Sequence, residues 1–216
     1  MREIKEFPNL YIVDHPVVQD KLTTLRKKDT PTYLFRSLLE EISHLMAYPV
    51  TELLSVKDVE IETPLIKSQM PVLDVTGIVV VPILRAGLGM MSGLLKIFPD
   101  AAIGHIGLYR DHDTHQAVEY VVRLPEFKNQ IYLLVDPMLG TGNSSAYAAS
   151  LLVKHGVIPE NIIFMSLLAA PEGVKAFHKV HPNIRVYTAA LDSHLDENAY
   201  IVPGLGDAGD RMFGTA

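Results

Sequence analysis

The fold is set by the stretch Ile131-Tyr132-Leu133-Leu134-Val135-Asp136-Pro137-Met138-Leu139-Gly140-Thr141-Gly142-Asn143-Ser144-Ser145. It opens with five apolar residues, which are typical of a strand buried on both faces. An acid closes the strand, and a turn of small and hydroxyl residues leads into a helical segment from Ala146. Such a turn gathers backbone N–H groups at the positive end of a helix, where anions bind. Helix capping alone would also explain some of these residues, but two glycines, three hydroxyls and an acid together favour a phosphate site.

Similar strand-turn-helix units precede and follow this stretch. The apolar run from Ile78 to Leu84 predicts a strand, and the residues from Met90 to Ile97 predict the helix after it. Strands alternating with helices are typical of a parallel, doubly wound α/β sheet. Further strands are predicted over Ala101 to Tyr109, Val118 to Leu124, Ile162 to Leu168 and Ile184 to Leu191, and a further helix over Pro171 to Lys179.

The two ends of the chain depart from this alternation. Helical spacing predicts one helix from about Val17 to Arg26, and a longer one that is capped by Thr30-Pro31 and broken by Pro49. The segment from Ser55 to Ile66 predicts an exposed antiparallel strand or hairpin arm. The tail from Asp192 to Ala216 is rich in glycine and has little periodicity, so statistics alone predict a frayed end.

Composition excludes several classes of protein. The 216 residues are 48% hydrophobic and 20% charged, as expected for one globular domain. The net charge of -6 argues against a nucleic-acid or membrane surface, so any phosphate must be held locally. The absence of cysteine excludes disulfides, thiolate nucleophiles and cysteine-based metal sites. Because the N-terminus lacks a signal-peptide core and no window approaches a membrane span, a cytoplasmic protein is expected.

Most of the known nucleotide-binding and catalytic motifs do not fit this sequence. Gly204 to Gly209 matches GxGxxG, but no buried strand leads directly into it and no helix-length segment follows. Gly87 to Ser92 does follow a strand and open a helix, so a Rossmann dehydrogenase stays open as an alternative. No Walker lysine, GxSxG elbow or HExxH helix is present. Two histidine pairs have metal-compatible spacing, but such histidines commonly bind nothing, so no protein metal site is predicted. These pairs are His112 with His115 and His178 with His181.

Charged residues stand at the ends of three predicted strands. They are Arg85, Arg110 and Asp136. The carboxyl ends of parallel strands meet at one edge of a sheet, so these side chains can converge although they are distant in sequence. Two guanidiniums suit a diphosphate, because each is planar, permanently charged and able to bind bidentately. Either arginine could instead be a surface cation or the partner of a nearby acid. Their joint placement favours a ligand with several phosphates.

Several blocks of the sequence together carry a resemblance to one family. They are Val81 to Met90, Tyr109-Arg110, Val135 to Leu139 with Thr141-Gly142, Ala169 to Gly173, and above all Tyr200 to Thr215. With these blocks, roughly from Gly77 to the C-terminus, the chain resembles the uracil phosphoribosyltransferases, which have the type I phosphoribosyltransferase fold. The resemblance implies one domain over residues 1–216, with a mostly parallel sheet flanked by helices. Helices would occupy about residues 1–55, and about residues 192–216 would form a base-binding hood.

The resemblance also implies a reaction and a site. The phosphoribosyl group of 5-phospho-α-D-ribose 1-diphosphate (PRPP) would pass to uracil, giving UMP and diphosphate, with Mg²⁺ as cofactor. Arg85 and Arg110 at the diphosphate and Asp136 at the ribose would be catalytic. The excursion from Arg110 to about Tyr120 would be a mobile flap. PRPP would be bound by Asp136, Pro137, Met138, Leu139, Gly140, Thr141, Gly142, Asn143, Ser144 and Asp207. Uracil would be read by Ile201, Gly206, Asp207 and Ala208.

Two departures from familiar patterns affect the phosphate loop. Asp136 precedes Pro137 where the general type I motif has a second acid, which matches the uracil subfamily and leaves one carboxylate for the ribose. Gly140 and Asn143 stand where family members usually have Ala and Gly. Asparagine tolerates positive φ better than most residues, so the loop geometry is expected to survive.

A second alternative is an RNA-binding regulator built on the same fold. Such a protein needs a basic face, whereas the net charge is -6 and no basic cluster occurs beyond Arg26-Lys27-Lys28. Relatives of the fold imply a homodimer or homotetramer, for which the N-terminal helices are candidate interfaces. GTP activation occurs among relatives, so a GTP effector is a further expectation.

Overall fold

The computed structural model describes residues 2–52, 54–74, 77–110, 117–126 and 130–215, with only the main chain described for residues 110 and 117. Its helices are Pro16–Arg26 (α1), Thr32–Val50 (α2), Leu88–Leu95 (α3), Asn143–Lys154 (α4), Pro171–Val180 (α5) and Ala208–Phe213 (α6). Its strands are Arg2–Ile4 (β1), Phe7–Ile12 (β2), Val56–Glu62 (β3), Lys67–Leu73 (β4), Ile78–Leu84 (β5), Ala102–Ile103 (β6), His105–Arg110 (β7), Ala117–Arg123 (β8), Ile131–Val135 (β9), Met138–Leu139 (β10), Ile162–Ala169 (β11), Arg185–Leu191 (β12), His194–Leu195 (β13) and Ile201–Val202 (β14).

A mostly parallel sheet forms the centre of the described chain, in the order β1-β2-β12-β11-β9-β5-β7-β8. In this order the six strands β2, β12, β11, β9, β5 and β7 run parallel to one another. The pairs β1-β2 and β7-β8 at the two ends are antiparallel. Ile78 and Val80 of β5 enter one core, while Val79 and Val81 enter the other. Burial on both faces explains the unbroken apolar run. The predicted α/β sheet is confirmed.

Helices cover both faces of the sheet. Residues of α1, α2, α3 and α6 pack into one core, and residues of α4 and α5 pack into the other. The helices predicted over Val17 to Arg26 and over Pro171 to Lys179 are confirmed, each within one residue at either end. In the described part of the chain, no helix combines the length and apolarity that crossing a membrane requires.

Some elements differ from the predictions. β2 adds a parallel strand beside β12 that was not predicted, because Pro8 and Asn9 interrupt its apolar residues. The strand expected over Ala101 to Tyr109 is divided at Gly104, whose N–H donates to the carbonyl of Val80 at 3.0 Å. α2 continues past Pro49 to Val50. The predicted hairpin arm is confirmed, and β4 is its second, exposed strand.

The tail is folded through Thr215, so the prediction of a frayed end is wrong. β13 and β14 form a small antiparallel hairpin, and α6 packs against α2. Leu205 and Met212 are each only 4% exposed within the core. Composition missed this order because contacts with distant segments, and not a periodic pattern, hold the tail in place.

Candidate active site

The three charged positions at strand ends lie at neighbouring places on one edge of the sheet. Asp136 follows β9, Arg85 follows β5 and Arg110 ends β7, and these strands are consecutive and parallel. The convergence predicted from the sequence therefore holds for the main chain. The side chain of Arg110 and residues 111–116 of the expected flap lie outside the described residues, so their roles stay predictions.

A cavity of about 380 Å³ opens at this edge of the sheet. Its walls come from the segment after β5, the loop between β9 and α4, and the tail. Most predicted site residues line it, namely Arg85, Asp136, Met138, Gly140, Thr141, Gly142, Ser144, Ile201, Gly206, Asp207 and Ala208. Ser145, the third hydroxyl residue of the loop, also lines the cavity, as do four residues to which no site role was assigned from the sequence, namely Ala86, Ala199, Tyr200 and Gly209.

Three residues of the predicted PRPP loop do not line the cavity. Pro137 is buried, and its carbonyl accepts hydrogen bonds from the N–H groups of Leu167 and Leu168, both at 3.0 Å. Leu139 is fully buried, and its carbonyl accepts from the N–H of Ala170 at 2.9 Å. Asn143 is exposed at the first position of α4. Pro137 and Leu139 thus fasten the loop to β11 and the residue after it.

The glycine loop presents the start of α4 to the cavity. Gly142 caps this helix at φ 78°, and no side chain caps the first-turn N–H groups. Uncapped N–H groups at a helix start are anion-binding donors. Of the three hydroxyls in the loop, that of Ser145 donates to the carbonyl of Gly142 at 3.1 Å and so shapes the loop. Thr141 and Ser144 line the cavity.

The positive φ of this loop belongs to Gly142 and not to Asn143. The sequence-based reason for tolerating asparagine is therefore wrong. Asn143 fits because it is exposed in the first turn of a helix, where its side chain meets no crowded neighbour. A Cβ added at Gly140 would approach only Ala199, Leu195 and Ile201, at 3.8 to 3.9 Å. An alanine there would therefore make only ordinary van der Waals contacts.

Asp136 is the most electrostatically perturbed group at the site. Burial raises the pKa of its carboxyl from 3.8 to about 7, against the effect of the Met138 N–H, which donates to Oδ1 at 3.2 Å. The nearby charge of Asp207 raises this pKa further. Asp207 itself caps α6, because its Oδ1 accepts from the N–H of Asp210 at 2.9 Å. Two carboxylates facing one cavity favour sugar hydroxyls or a cation between them.

Arg85 lies at the rim of the cavity and is exposed. Its guanidinium carbon stands 5.3 Å from the ring centroid of Phe213, at the end of α6. A cation over an aromatic face is attracted to the ring, which restricts the guanidinium without neutralising it. Arg85 therefore presents a positive charge at the cavity entrance for an anionic group of a ligand.

The tail forms another wall of the cavity, and its residues Ala199 and Ile201 lie beside Gly140 of the glycine loop. Asp196 turns the chain there, because its Oδ1 accepts from the N–H groups of Asn198 at 2.9 Å and Tyr200 at 2.8 Å. This turn carries Ala199, at φ 64°, and Tyr200 to the cavity. An aspartate whose side chain accepts from the N–H two residues on forms an Asx turn, so Asp196 is a turn signal that could have located this wall. The other part of the wall is the main chain of residues 206–209.

The structure argues against a dinucleotide site at Gly87 to Ser92. A Cβ on Gly87 would lie 2.6 Å from the carbonyl oxygen of Val135, and one on Gly89 would clash with Leu39 and Met212. Gly87 is thus required by close packing against the main chain of β5 and β9, and Gly89 by packing against α2 and α6, so both glycines are explained without a bound pyrophosphate.

Of the two histidine pairs, only His178 and His181 lie in the described residues, and their rings contact main-chain carbonyls. The Nε2 atoms of His178 and His181 lie 3.3 Å and 3.0 Å from the carbonyls of Ile184 and Ala146, and burial lowers the pKa of both rings. Among the residues described, no three potential ligands are gathered as a metal ion would need. The pair His112 and His115 lies outside that part.

Comparison with solved structures identifies the class of fold. The chain superposes on adenine phosphoribosyltransferase from Trypanosoma brucei with a TM-score of 0.60 at 13% identity, covering 96% of this chain and 92% of that one. A protein from Aquifex aeolicus has a TM-score of 0.90 at 32% identity, with 96% of this chain and 99% of that chain covered. The architecture is that of the type I phosphoribosyltransferases.

Sequence comparison narrows the class. A family model described as uracil phosphoribosyltransferase matches residues 12–215. Uracil phosphoribosyltransferases from Burkholderia pseudomallei and Burkholderia thailandensis are 52% and 53% identical, over 100% of this chain and 99% of theirs. This chain belongs to the uracil phosphoribosyltransferase family.

Proposed function

We propose that the chain transfers the phosphoribosyl group of PRPP to uracil and releases UMP and diphosphate, a salvage reaction for pyrimidine bases. The observation that carries this proposal is the single cavity in which two walls meet. One wall is the acid and glycine loop that follows β9, and the other is the tail block by which the chain resembles the uracil enzymes. Family membership over the whole chain supports the same reaction.

The sugar and its 5′-phosphate belong at the glycine loop. The uncapped N–H groups at the start of α4, with Thr141 and Ser144, would receive the 5′-phosphate. Asp136 would accept hydrogen bonds from the ribose hydroxyls at the floor of the cavity. Pro137, Leu139 and Asn143 would act through the main chain, because their side chains do not line the cavity.

Uracil belongs at the tail. Its amide-like edge both donates and accepts hydrogen bonds, and the main chain at Ile201 and over residues 206–208 offers groups of both kinds. A rigid main chain built from small residues can approach a planar base closely and reads it by fixed donors and acceptors. Asp207 lies between this base wall and the sugar, so it would also face PRPP.

The leaving diphosphate belongs at the rim, with Arg85 and Arg110. Charge develops as the bond between diphosphate and the anomeric carbon breaks, and fixed cations at the leaving oxygens stabilise that charge. The two walls hold N1 of uracil near the anomeric carbon, which supplies the effect of orientation. The flap expected over residues 110–120, of which residues 117–120 form the start of β8, would exclude water that could capture the sugar cation.

Mg²⁺ is the proposed cofactor. Asp136 and Asp207 fit this ion, because Mg²⁺ is commonly held by one or two carboxylates together with substrate phosphates and water. When bound, it would partly neutralise the diphosphate. The raised pKa of Asp136 is consistent with a carboxyl that awaits a positive partner.

We also propose a domain organisation, a localisation and an oligomeric state for the chain. Residues 1–216 would act as one domain in the cytoplasm, without nucleic-acid or membrane partners. A homodimer or homotetramer is expected from the family resemblance, and the exposed Tyr33 and Tyr48 of α2, at 73% and 82%, are candidate contact residues. A GTP effector rests on the family resemblance alone.

The function is tested by mixing the protein with PRPP, Mg²⁺ and a panel of bases, and by identifying products by mass. We expect UMP and diphosphate from uracil, and little or no nucleotide from cytosine, adenine or guanine. If uracil yields no UMP, or if a purine is the preferred base, the proposed function is wrong.

Replacing Arg85 should weaken the use of PRPP. A charge-assisted hydrogen bond contributes about 1.5–3 kcal/mol, so we expect Arg85→Ala to lower kcat/KM for PRPP by about 10- to 100-fold. Arg85→Lys should recover only part of this, because an ammonium lacks the planar fork. The matched variant Phe213→Leu, which removes the ring beneath the guanidinium, should have a smaller effect than either. Steady-state kinetics at varied PRPP measure the series, and unchanged kinetics for Arg85→Ala would exclude Arg85 from the diphosphate site.

A further inference from the structure

Gly204 in the tail is held on both of its backbone polar groups by a buried ion pair. Nη1 of Arg26 donates to the carbonyl of Gly204 at 2.7 Å, and Oδ2 of Asp192 accepts from the N–H of Gly204 at 2.9 Å. The two side chains also join each other, from Nη1 to Oδ2 at 2.8 Å and from Nη2 to Oδ1 at 2.6 Å. The side chain of Asp192 is only 5% exposed and that of Arg26 is 21% exposed. Neither residue lines the cavity.

The pair is fastened to rigid parts of the fold. Arg26 is the last residue of α1. The N–H of Asp192 donates to the carbonyl of Ala169, at the end of β11, at 2.8 Å. The position of Gly204 is thus fixed relative to both the central sheet and α1, two elements that are buried on the side facing each other.

A second guanidinium supports the next residue of the tail. Arg211 donates from Nη1 to the carbonyl of Leu205 at 2.8 Å and from Nη2 to the carbonyl of Lys27 at 2.5 Å. Its guanidinium carbon lies 4.6 Å from the ring centroid of Phe35. Two successive carbonyls of the tail are therefore held by arginines, and both connections lead to the end of α1.

The segment that depends on these contacts begins the base wall of the cavity. Gly204 and Gly206 have φ values of 59° and 80°, and residues 206–209 line the cavity immediately afterwards. The stretch between β14 and α6 has no regular hydrogen-bonded structure of its own. Main-chain groups bind a base selectively only if that main chain is held in one position. Small displacements of such a site strongly weaken the orientation of the bound base.

We propose that Arg26 and Asp192 are positioning residues for the pyrimidine base, acting through Gly204 on the main chain of residues 206–208. This inference rests on the proposed function, because it assigns the base to that wall. It also gives Arg26 an internal role, so the one basic cluster of the sequence does not present all of its charges to an outside partner.

The test separates the two substrates in steady-state kinetics. Asp192→Asn keeps the shape of the side chain but loses the charge, and Arg26→Lys keeps the charge but cannot hold both Asp192 oxygens and Gly204 at once. We expect either variant to raise KM for uracil by about 10- to 100-fold, with a clearly smaller rise in KM for PRPP, because Asp207 is the only residue of the displaced segment that is assigned to PRPP. Partial unfolding would lower the rate but would not raise KM for uracil selectively, because KM does not depend on the amount of active enzyme.

The matched control is Glu41→Gln. It removes the ion pair between Glu41 and Lys21, which joins α2 to α1 away from the tail, and it should leave both KM values unchanged. For a variant with slow turnover, calorimetry gives the same split, since affinity for UMP should fall while affinity for ribose 5-phosphate is kept. Equal changes for both substrates, or none, would overturn the positioning role. A parent enzyme that makes no UMP would instead overturn the proposed function.

Discussion

Asp136→Asn should abolish most of the transfer activity while making the free protein more stable at neutral and basic pH. The amide still accepts the hydrogen bond from the Met138 N–H, which lies 3.2 Å from Oδ1. It lacks the negative charge that would face the ribose and any cation. Loss of one preorganised electrostatic group at a reacting centre typically costs about 10²- to 10³-fold in kcat, and we expect a loss of this size in UMP formation at saturating substrates.

The gain in stability follows from the pKa of Asp136, which burial raises from 3.8 to about 7. A carboxyl with a raised pKa binds its proton more tightly in the folded state, so its contribution to stability declines as pH rises from about 4 to about 7. Asparagine undergoes no such decline. Between pH 5 and pH 8 the difference in the free energy of unfolding between variant and parent should therefore grow by roughly 2 to 3 kcal/mol, at 1.36 kcal/mol per pKa unit.

Urea denaturation of the ligand-free protein at pH 5, 6.5 and 8 measures this difference. Asp58→Asn on the exposed strand β3 makes the same change of charge away from the cavity and should show no comparable growth. A difference that stays constant with pH would contradict the raised pKa. Full turnover by Asp136→Asn would remove Asp136 from the catalytic residues.

Gly142→Ala is the second variant with a large expected effect, on PRPP binding and on stability. Gly140→Ala, two residues earlier, should have no such effect. Gly142 has φ 78°, and an added Cβ would lie 2.5 Å from the carbonyl oxygen of Gly173. Strain of this kind costs about 1–3 kcal/mol, and its relief would distort the N–H groups that are proposed to hold the 5′-phosphate. We expect KM for PRPP to rise by about tenfold or more and the melting temperature to fall.

Gly140→Ala serves as the matched control, because its added Cβ would meet ordinary contacts at 3.8 Å and beyond. Its φ is not in the left-handed region. Replacing glycine by alanine at a compatible position stabilises a protein by about 0.4–1 kcal/mol through the unfolded state. Gly140→Ala should therefore keep the parent KM for PRPP and melt slightly higher. Equal effects of the two variants would contradict the described geometry of the loop.

The central sheet was predictable because the physical signal there is local. A strand buried on both faces needs an unbroken apolar run, and Ile78 to Leu84 and Ile131 to Val135 have one. The sequence did not predict β2, because this strand is stabilised by its pairing with β12 and its own residues Pro8 and Asn9 are poor strand formers.

The site was predictable to the extent that strand ends define it. Arg85 and Asp136 are placed by the sheet, so their convergence follows from topology alone. The order of the tail did not follow from composition, because the bonds from Arg26 to the carbonyl of Gly204 and from Arg211 to the carbonyl of Lys27 join segments far apart in sequence. Family resemblance supplied that part of the prediction.

A crystal structure of the protein with bound UMP tests the proposed site most directly. We expect the phosphate to lie within hydrogen-bond distance of the N–H groups at the start of α4, the ribose hydroxyls to contact Asp136, and uracil to meet the main chain at Ile201 and residues 206–208. UMP in the reverse orientation, with its base at the glycine loop, or bound outside this cavity, would contradict it.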